Sequence, residues 1–286
     1  MTTFTTLINT DELAEHINDP DWVIIDCRFN LADTEAGRQA YAQAHIPNAR
    51  YAHLDEDLSS PITPKTGRHP LPDPEVIAKK LGDWGVDEKK QVVVYDDAGG
   101  AIAGRLWWML RWLGHDRVAL LNGGIKAWKA AELPLTNEVP EIIPAVFPLQ
   151  KEAQERDGQY VTAKEVNQLR QDKNYRVVDA RAPQRFSGEV EPLDKVAGHI
   201  PGSINMPWDN NVQADGTFKS KETLQEMFEQ KLGDVAPEQV IHSCGSGVTA
   251  SHNLIAMEYV GLKGSKLYAG SWSEWIADPD RPVEKG

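Results

Sequence analysis

The sequence predicts an α/β protein of two domains, each with a mostly parallel sheet flanked by helices, and three observations predict it. Short β-branched runs alternate with amphipathic helical stretches, as parallel sheets covered on both faces require. The landmarks of one half return in the same order in the other. The chain is 286 residues long, 41% apolar and 26% charged, about twice an ordinary domain length with ample material for two cores.

The elements follow in order. In the first half, Val23-Ile24-Ile25-Asp26-Cys27-Arg28 reads as a strand and its exit, and Ala44-His45-Ile46-Pro47 as a turn. A helix is expected over Pro74 to Trp84, a strand over Val92 to Asp96 and a helix over Ala101 to Leu113, followed by Asn122-Gly123-Gly124 and Trp128. The second half repeats this: helix Thr162 to Arg170, strand Val177-Val178-Asp179-Ala180-Arg181, turn Gly198-His199-Ile200-Pro201 and helix Lys221 to Lys231. Then come strand Gln239 to His242, helix Thr249 to Tyr259, Gly270-Ser271 and Trp275. Asp26 thus returns as Asp179, His45 as His199, Asp96 as Cys244 and Trp128 as Trp275, with spacings that drift as loop insertions produce. Features present in both copies are read as serving the fold. His45 and His199 fix turns, Asp26–Arg28 and Asp179–Arg181 form structural ion pairs, and Trp128 and Trp275 lie in the cores. The expected division is residues 1–135, a linker at 136–158, and residues 159–286. The linker carries Pro140, Pro144 and Pro148 and the polar run Gln150 to Gly158, while Ile142, Ile143, Val146 and Phe147 suggest that it packs along a surface.

Composition narrows the function. A net charge of −13 argues against a broad nucleic-acid or anionic-membrane surface, so an anionic substrate must be met by a local basic cluster. No run of eighteen apolar residues suggests a membrane span, and no basic-then-apolar leader marks the start, which reads as cytoplasmic. Two cysteines, Cys27 and Cys244, fit neither a disulfide framework nor a metal site. Gly99-Gly100 and Gly123-Gly124 lack the spacing of nucleotide-binding loops. No metal or cofactor is expected.

The chemistry is expected at His242-Ser243-Cys244-Gly245-Ser246-Gly247-Val248-Thr249-Ala250. A cysteine between a strand end and a helix start, followed by Gly-Ser-Gly, can be ringed by backbone N–H groups that favour thiolate over thiol. Ligands of open parallel sheets collect at such strand ends. Because Asp96 occupies the matching position, only the second half can carry this nucleophile, and the first half reads as an inactive copy that shapes the cleft. Cys27, matched by Ala180, reads as packing.

The two tandem α/β units, His-Ile-Pro in each, Asp179-Ala180-Arg181, the Cys244 loop and Gly270-Ser271-Trp272-Ser273-Glu274-Trp275 together resemble the two-domain rhodanese-type sulfurtransferases over almost the whole chain. The loop looks like that of the 3-mercaptopyruvate group, because thiosulfate-preferring members place basic residues where this chain has Gly245 and Ser246. The resemblance implies attack by Cys244 on the sulfur of a small anionic donor and a Cys244 persulfide held by loop amides from Gly245 through Gly247, Val248 and Thr249. The sulfur then passes to cyanide, a thiol or a thioredoxin-like protein. It implies that Arg185 grips the substrate carboxylate. A second family arginine is replaced here by Asp194, leaving the neighbouring Lys195 as a stand-in. It implies a proton relay of Ser246, His45 and, by loose alignment, Asp33. Trp272 either walls the pocket or joins the core. The duplication supplies an interface within one chain, which favours a monomer. The alternatives are a thiosulfate-preferring enzyme and a non-catalytic sulfur carrier. A cysteine phosphatase would carry an arginine where Ala250 stands.

Overall fold

In the computed structural model, which describes residues 3–149 and 159–286, the chain forms two units with the same plan. The first runs β1 (Leu7–Ile8), α1 (Thr10–Glu15), β2 (Trp22–Asp26), α2 (Ala36–Gln43), β3 (Ala49–Tyr51), α3 (Pro74–Asp83), β4 (Gln91–Tyr95), α4 (Ala103–Trp112), β5 (Val118–Leu121) and α5 (Gly124–Ala130). Its strands pair in the order β1-β5-β4-β2-β3, all in parallel. The second runs α6 (Ala163–Leu169), β6 (Arg176–Asp179), α7 (Pro183–Ser187), β7 (Ile204–Asn205), α8 (Lys221–Leu232), β8 (Val240–Ser243), α9 (Ala250–Tyr259), β9 (Lys266–Leu267) and α10 (Ser271–Trp275). Its order is β7-β6-β8-β9, again parallel.

Local chemistry sets the boundaries. Asp73 accepts a hydrogen bond from the Glu75 N–H, and Pro74 opens α3 where its missing N–H costs nothing. Thr162 and Glu165 form a reciprocal capping box before α6, and the Ser220 hydroxyl caps α8. The β2 and β4 strands are buried at every position, as strands covered on both faces must be.

The repeated residues serve the fold in both copies. Asp26 and Arg28 form a buried ion pair at 2.6 Å, and Asp179 and Arg181 form one at 2.7 Å. The His45 ring lies at 2.7 Å from the Tyr41 carbonyl and stacks on Tyr41; the His199 ring lies at 2.8 Å from the Phe186 carbonyl and stacks on Phe186. The indole N–H groups of Trp128 and Trp275 donate to Pro134 and Pro282 carbonyls, each at 2.8 Å. Each tryptophan anchors a core, with Ile24 and Val93 in the first unit and with Val177, Ile241 and Trp272 in the second.

The units are not the contiguous blocks that the sequence suggests. The first comprises the described parts of Met1–Ser60, Pro72–Arg156 and Val212–Phe218; the second comprises those of Pro61–Leu71, Asp157–Asn211 and Lys219–Gly286. Of the linker, residues 150–158 lie outside the described residues. Before them Phe147 is buried near His115, and the Ala145 N–H donates to the Gly82 carbonyl, while Ile143 and Val146 are exposed. No helix among the described residues is long and apolar enough to cross a membrane.

Candidate active site

The β8 strand lies between β6 and β9 and delivers Cys244 at its carboxyl end. Residues 245–248 turn back and α9 starts at Ala250, with Thr249 as its N-terminal flank. Cys244 is only 1% exposed, and the Gly247 N–H donates to its Sγ at 3.2 Å. Gly247 has φ +74°, and a Cβ there would lie 2.1 Å from the Ala269 carbonyl oxygen, so the fold-back requires glycine. The loop is stitched to α10. Cys244 N–H donates to Ser271 Oγ at 3.0 Å, and the carbonyls of Cys244 and Gly245 accept from the N–H groups of Trp272 and Ser273. Ser271 holds a left-handed φ of +52°, a local strain fixed by those bonds, and its hydroxyl donates to the Tyr268 carbonyl at 2.8 Å.

The first unit shows what such a loop holds. At the position equivalent to Cys244, the Asp96 carboxylate accepts N–H bonds at 2.8 Å from Ala98, Gly100, Ile102 and Ala103. This strand-to-helix turn is therefore an anion cradle, filled in the first unit by a carboxylate and opened in the second to a sulfur.

Around Cys244 stands a charged array from three segments of the second unit. The Ser246 hydroxyl meets His69 Nδ1 at 2.7 Å, both side chains being buried. His69 follows Arg68, whose N–H donates to Ser273 Oγ at 3.1 Å; Gly67 sits so close to the Gly270 carbonyl that a Cβ would come within 2.7 Å of it. Arg185, from α7, donates to both oxygens of Glu191, the shortest bond being 2.8 Å, and reaches Asp194 at 3.1 Å. Arg68 pairs with the other oxygen of Asp194. Glu191 also meets Arg181 at 3.3 Å, and Arg181 lies 5.0 Å from the Trp272 ring centre.

Burial would raise the Glu191 carboxyl, but hydrogen bonds from Arg185 and from the backbone hold it below its ordinary value. Burial would likewise lower Arg181, yet Asp179, Glu191 and Cys244 together raise it, which puts a fixed positive charge within reach of the sulfur. Beneath the loop, burial pushes His242 down to about 3, so this ring stays neutral and acts as packing, 3.1 Å from the Met257 sulfur.

Of the residues singled out in the sequence, Cys244, Gly245, Ser246, Gly247, Val248, Thr249 and Arg185 come together in the second unit. Lys195 is exposed, and Asp194 fills a role that it does not. His45 and Asp33 belong to the first unit. Both His45 ring nitrogens face backbone carbonyls, of Tyr41 and Glu138, and Asp33 is exposed in the turn that leads to α2. The relay expected through His45 is thus corrected: the histidine on Ser246 is His69. Trp272 is fully buried in the core, with its indole N–H on the Val196 carbonyl. Sequence reading missed Arg68, His69, Glu191 and the bridging role of Asp194. The one signal was two adjacent basic residues, Gly67-Arg68-His69-Pro70, in a segment without periodicity.

Comparison with known proteins shows the family. The rhodanese-like domain family matches residues 9–131 and 162–278. The Pseudomonas aeruginosa protein named "Probable 3-mercaptopyruvate sulfurtransferase" is 45% identical over 282 residues, covering 98% of each chain. The thiosulfate sulfurtransferase of Rattus norvegicus is 34% identical, over 98% of this chain and 95% of that one. The solved 3-mercaptopyruvate sulfurtransferase from Leishmania major superposes with a TM-score of 0.83 at 31% identity, over 97% of this chain and 75% of that one. Two matched regions, one cysteine at the strand end and full-length similarity lead to one conclusion: the chain belongs to the rhodanese family.

Proposed function

We propose that this protein is a sulfurtransferase that takes sulfur from 3-mercaptopyruvate and passes it to a thiophilic acceptor through a Cys244 persulfide. The observation that carries the reading is the buried Cys244 sulfur, which accepts the Gly247 N–H in a turn whose next residue, Gly245, adjoins the Arg185 guanidinium. The Cys244 thiolate attacks the thiol sulfur of the donor, and the S–S bond forms as the donor's C–S bond breaks. The bonding pair leaves on carbon as the enolate of pyruvate. The proton carried by the donor's thiol becomes available from the new persulfide, and the enolate is protonated to pyruvate. Ser246 and His69, in hydrogen-bond contact, form a path for that proton. Arg185 holds the donor carboxylate, and the loop amides stabilise thiolate and persulfide in turn. No step requires a metal or an organic cofactor.

The first unit is proposed as a non-catalytic copy, because its cradle is filled by Asp96. The acceptor is cyanide, a small thiol or a thioredoxin-like protein, and the enzyme works as a cytoplasmic monomer. The similarity to a thiosulfate sulfurtransferase keeps thiosulfate as the second donor.

Initial rates with each donor and a common thiol acceptor test the reading. Pyruvate should form in step with sulfur transfer, and 3-mercaptopyruvate should have the higher kcat/KM. No pyruvate and no transfer from it, with brisk turnover of thiosulfate, would replace the first donor by the second; no transfer from either would leave a sulfur-binding module.

A further inference from the structure

We infer that the first unit carries a second ligand site, a cavity walled by β2, β3 and residues 140–145, which binds a small monocarboxylate with an apolar body through Arg50. The cavity measures about 410 Å³, a size that suits small organic molecules. Every residue that lines it belongs to the first unit, and none to the unit that carries Cys244.

Arg50 stands on β3 and is not repeated. Asp26 pairs in register with Tyr51, and Asp179 with Asn205, so the counterpart of Arg50 in the second unit is Ile204. The residues that recur in both units serve the fold, whereas this half-buried guanidinium occurs once. Its Nε donates to the Trp84 carbonyl at 3.1 Å and its Nη1 to the Asn48 carbonyl at 2.7 Å. Asn48 holds a left-handed φ of +63° and donates from its side chain to the Ile17 carbonyl at 2.8 Å, so a strained, tied residue aims the guanidinium. Among the described residues, Nη2 makes no hydrogen bond and no carboxylate pairs with the charge. Burial accordingly lowers Arg50 from its ordinary value, with Tyr41 opposing. Arg28 is more deeply buried, yet its hydrogen bond to Asp26 outweighs burial and raises it. A carboxylate bound at Arg50 supplies the partner that Asp26 gives Arg28.

The other charged groups of the lining have different engagements. Asp19 accepts the Asp21 N–H at 2.9 Å, and Asp87 accepts the N–H groups of Lys89 and Lys90. Lys90 donates to the Pro20 carbonyl at 2.6 Å and to Asp21 at 3.2 Å. Glu141 is exposed. With these acids in the wall, one spare guanidinium group suits a single negative charge and disfavours a dianion. The body of the ligand meets Ile17, Trp22, Ile143 and Pro144, and Ile143 offers a side chain that is 83% exposed. Gly85, at φ +83°, lets residues 140–145 pass beside the guanidinium. A Cβ there would lie 3.0 Å from the Ile143 carbonyl oxygen and 3.8 Å from Arg50 Nη2.

The experiment is methyl NMR of the full chain labelled at isoleucine, titrated with phenylacetate, with its neutral amide phenylacetamide and with inorganic phosphate. Ile17 and Ile143 line this cavity, so their methyl signals report it and not the Cys244 loop. Phenylacetate should shift both signals to saturation. The amide should bind there about tenfold more weakly or worse, and phosphate should leave both signals in place. Arg50→Met should weaken phenylacetate about tenfold or more, the loss of a charge-assisted hydrogen bond. If Arg50→Met folds poorly, Ile143→Asp asks the same question from an exposed position, since its negative charge should weaken the response of Ile17 by a similar factor. Unmoved Ile17 and Ile143 signals at about 10 mM phenylacetate, an amide that binds as well as the acid, or unchanged affinity in the variants overturns the inference. Equal shifts from phosphate would overturn the preference for a monocarboxylate.

Discussion

Cys244 and Cys27 have the same side chain and nearly the same burial, and their surroundings separate them. Burial, with Asp26, Asp96 and Asp57 nearby, pushes the Cys27 thiol well above its ordinary value, so it stays protonated and inert. Cys244 instead faces the Gly247 amide and lies within electrostatic reach of Arg181. His242 makes the opposite point about buried titratable groups. Its folded value of about 3 lies below that of an unfolded histidine, about 6.5, so between these values the unfolded chain binds the proton. The stability contributed by neutral His242 is present above pH 6.5 and is lost as pH falls through that window toward 3. His242→Gln should remove about 1 kcal/mol per pH unit from the acid slope of stability, read from urea midpoints between pH 7 and pH 5. Parallel slopes for the two proteins would contradict it. At this scale the Cys244 loop could be read from its own residues, whereas Arg185 came from the resemblance to the family. The sequence was silent on Arg68 and His69, because contacts made across more than a hundred residues leave no local pattern.

At the scale of elements, the strand-to-helix turn is the unit of both structure and chemistry. The same turn grips a carboxylate after β4 and offers the Gly247 amide to sulfur after β8. Asp96 is thus a structural anion, and Asp96→Ala strands amide donors in a buried turn. The expected cost is about 3 kcal/mol, measured as a fall in unfolding free energy, whereas Asp96→Asn keeps one acceptor and should cost less. Equal stability of Asp96→Ala and wild type would show that water fills the cradle without loss. The longer helices α3, α4, α6, α8 and α9 were legible because caps and periodicity mark them: Thr162 and Ser220 stand one residue before α6 and α8, where the sequence placed these helices to within a residue or two. The short α7 and the strained turn at Ser271 were not, since five residues carry no period and a positive φ at serine has no sequence signature.

For the whole molecule, duplication explains most of what repeats and little of what reacts. The paired features, Asp–Arg, His-Ile-Pro and the core tryptophans, were legible because each occurs twice. The exchange of Pro61–Leu71 and Val212–Phe218 between units was not, because the sequence was divided as contiguous blocks. That exchange has a consequence: residues 159–286 alone contain Cys244 and Arg185 but lack Arg68 and His69. Produced without residues 1–158, this half should form the persulfide from 3-mercaptopyruvate about a hundredfold more slowly or worse, and adding residues 1–158 as a separate chain should restore part of the rate. A full rate from residues 159–286 alone would remove Arg68 and His69 from the chemistry. The net charge of −13 describes the average surface, whereas the site proposed for the donor is a local array of arginines and carboxylates. The central claim is that one cysteine carries the transferred sulfur, and intact-mass measurement after brief exposure to 3-mercaptopyruvate tests it most directly. One added sulfur is expected, with one pyruvate released, removable by cyanide as thiocyanate, absent in Cys244→Ser and retained in Cys27→Ser. An unchanged mass, or a sulfur that survives in Cys244→Ser, would contradict it.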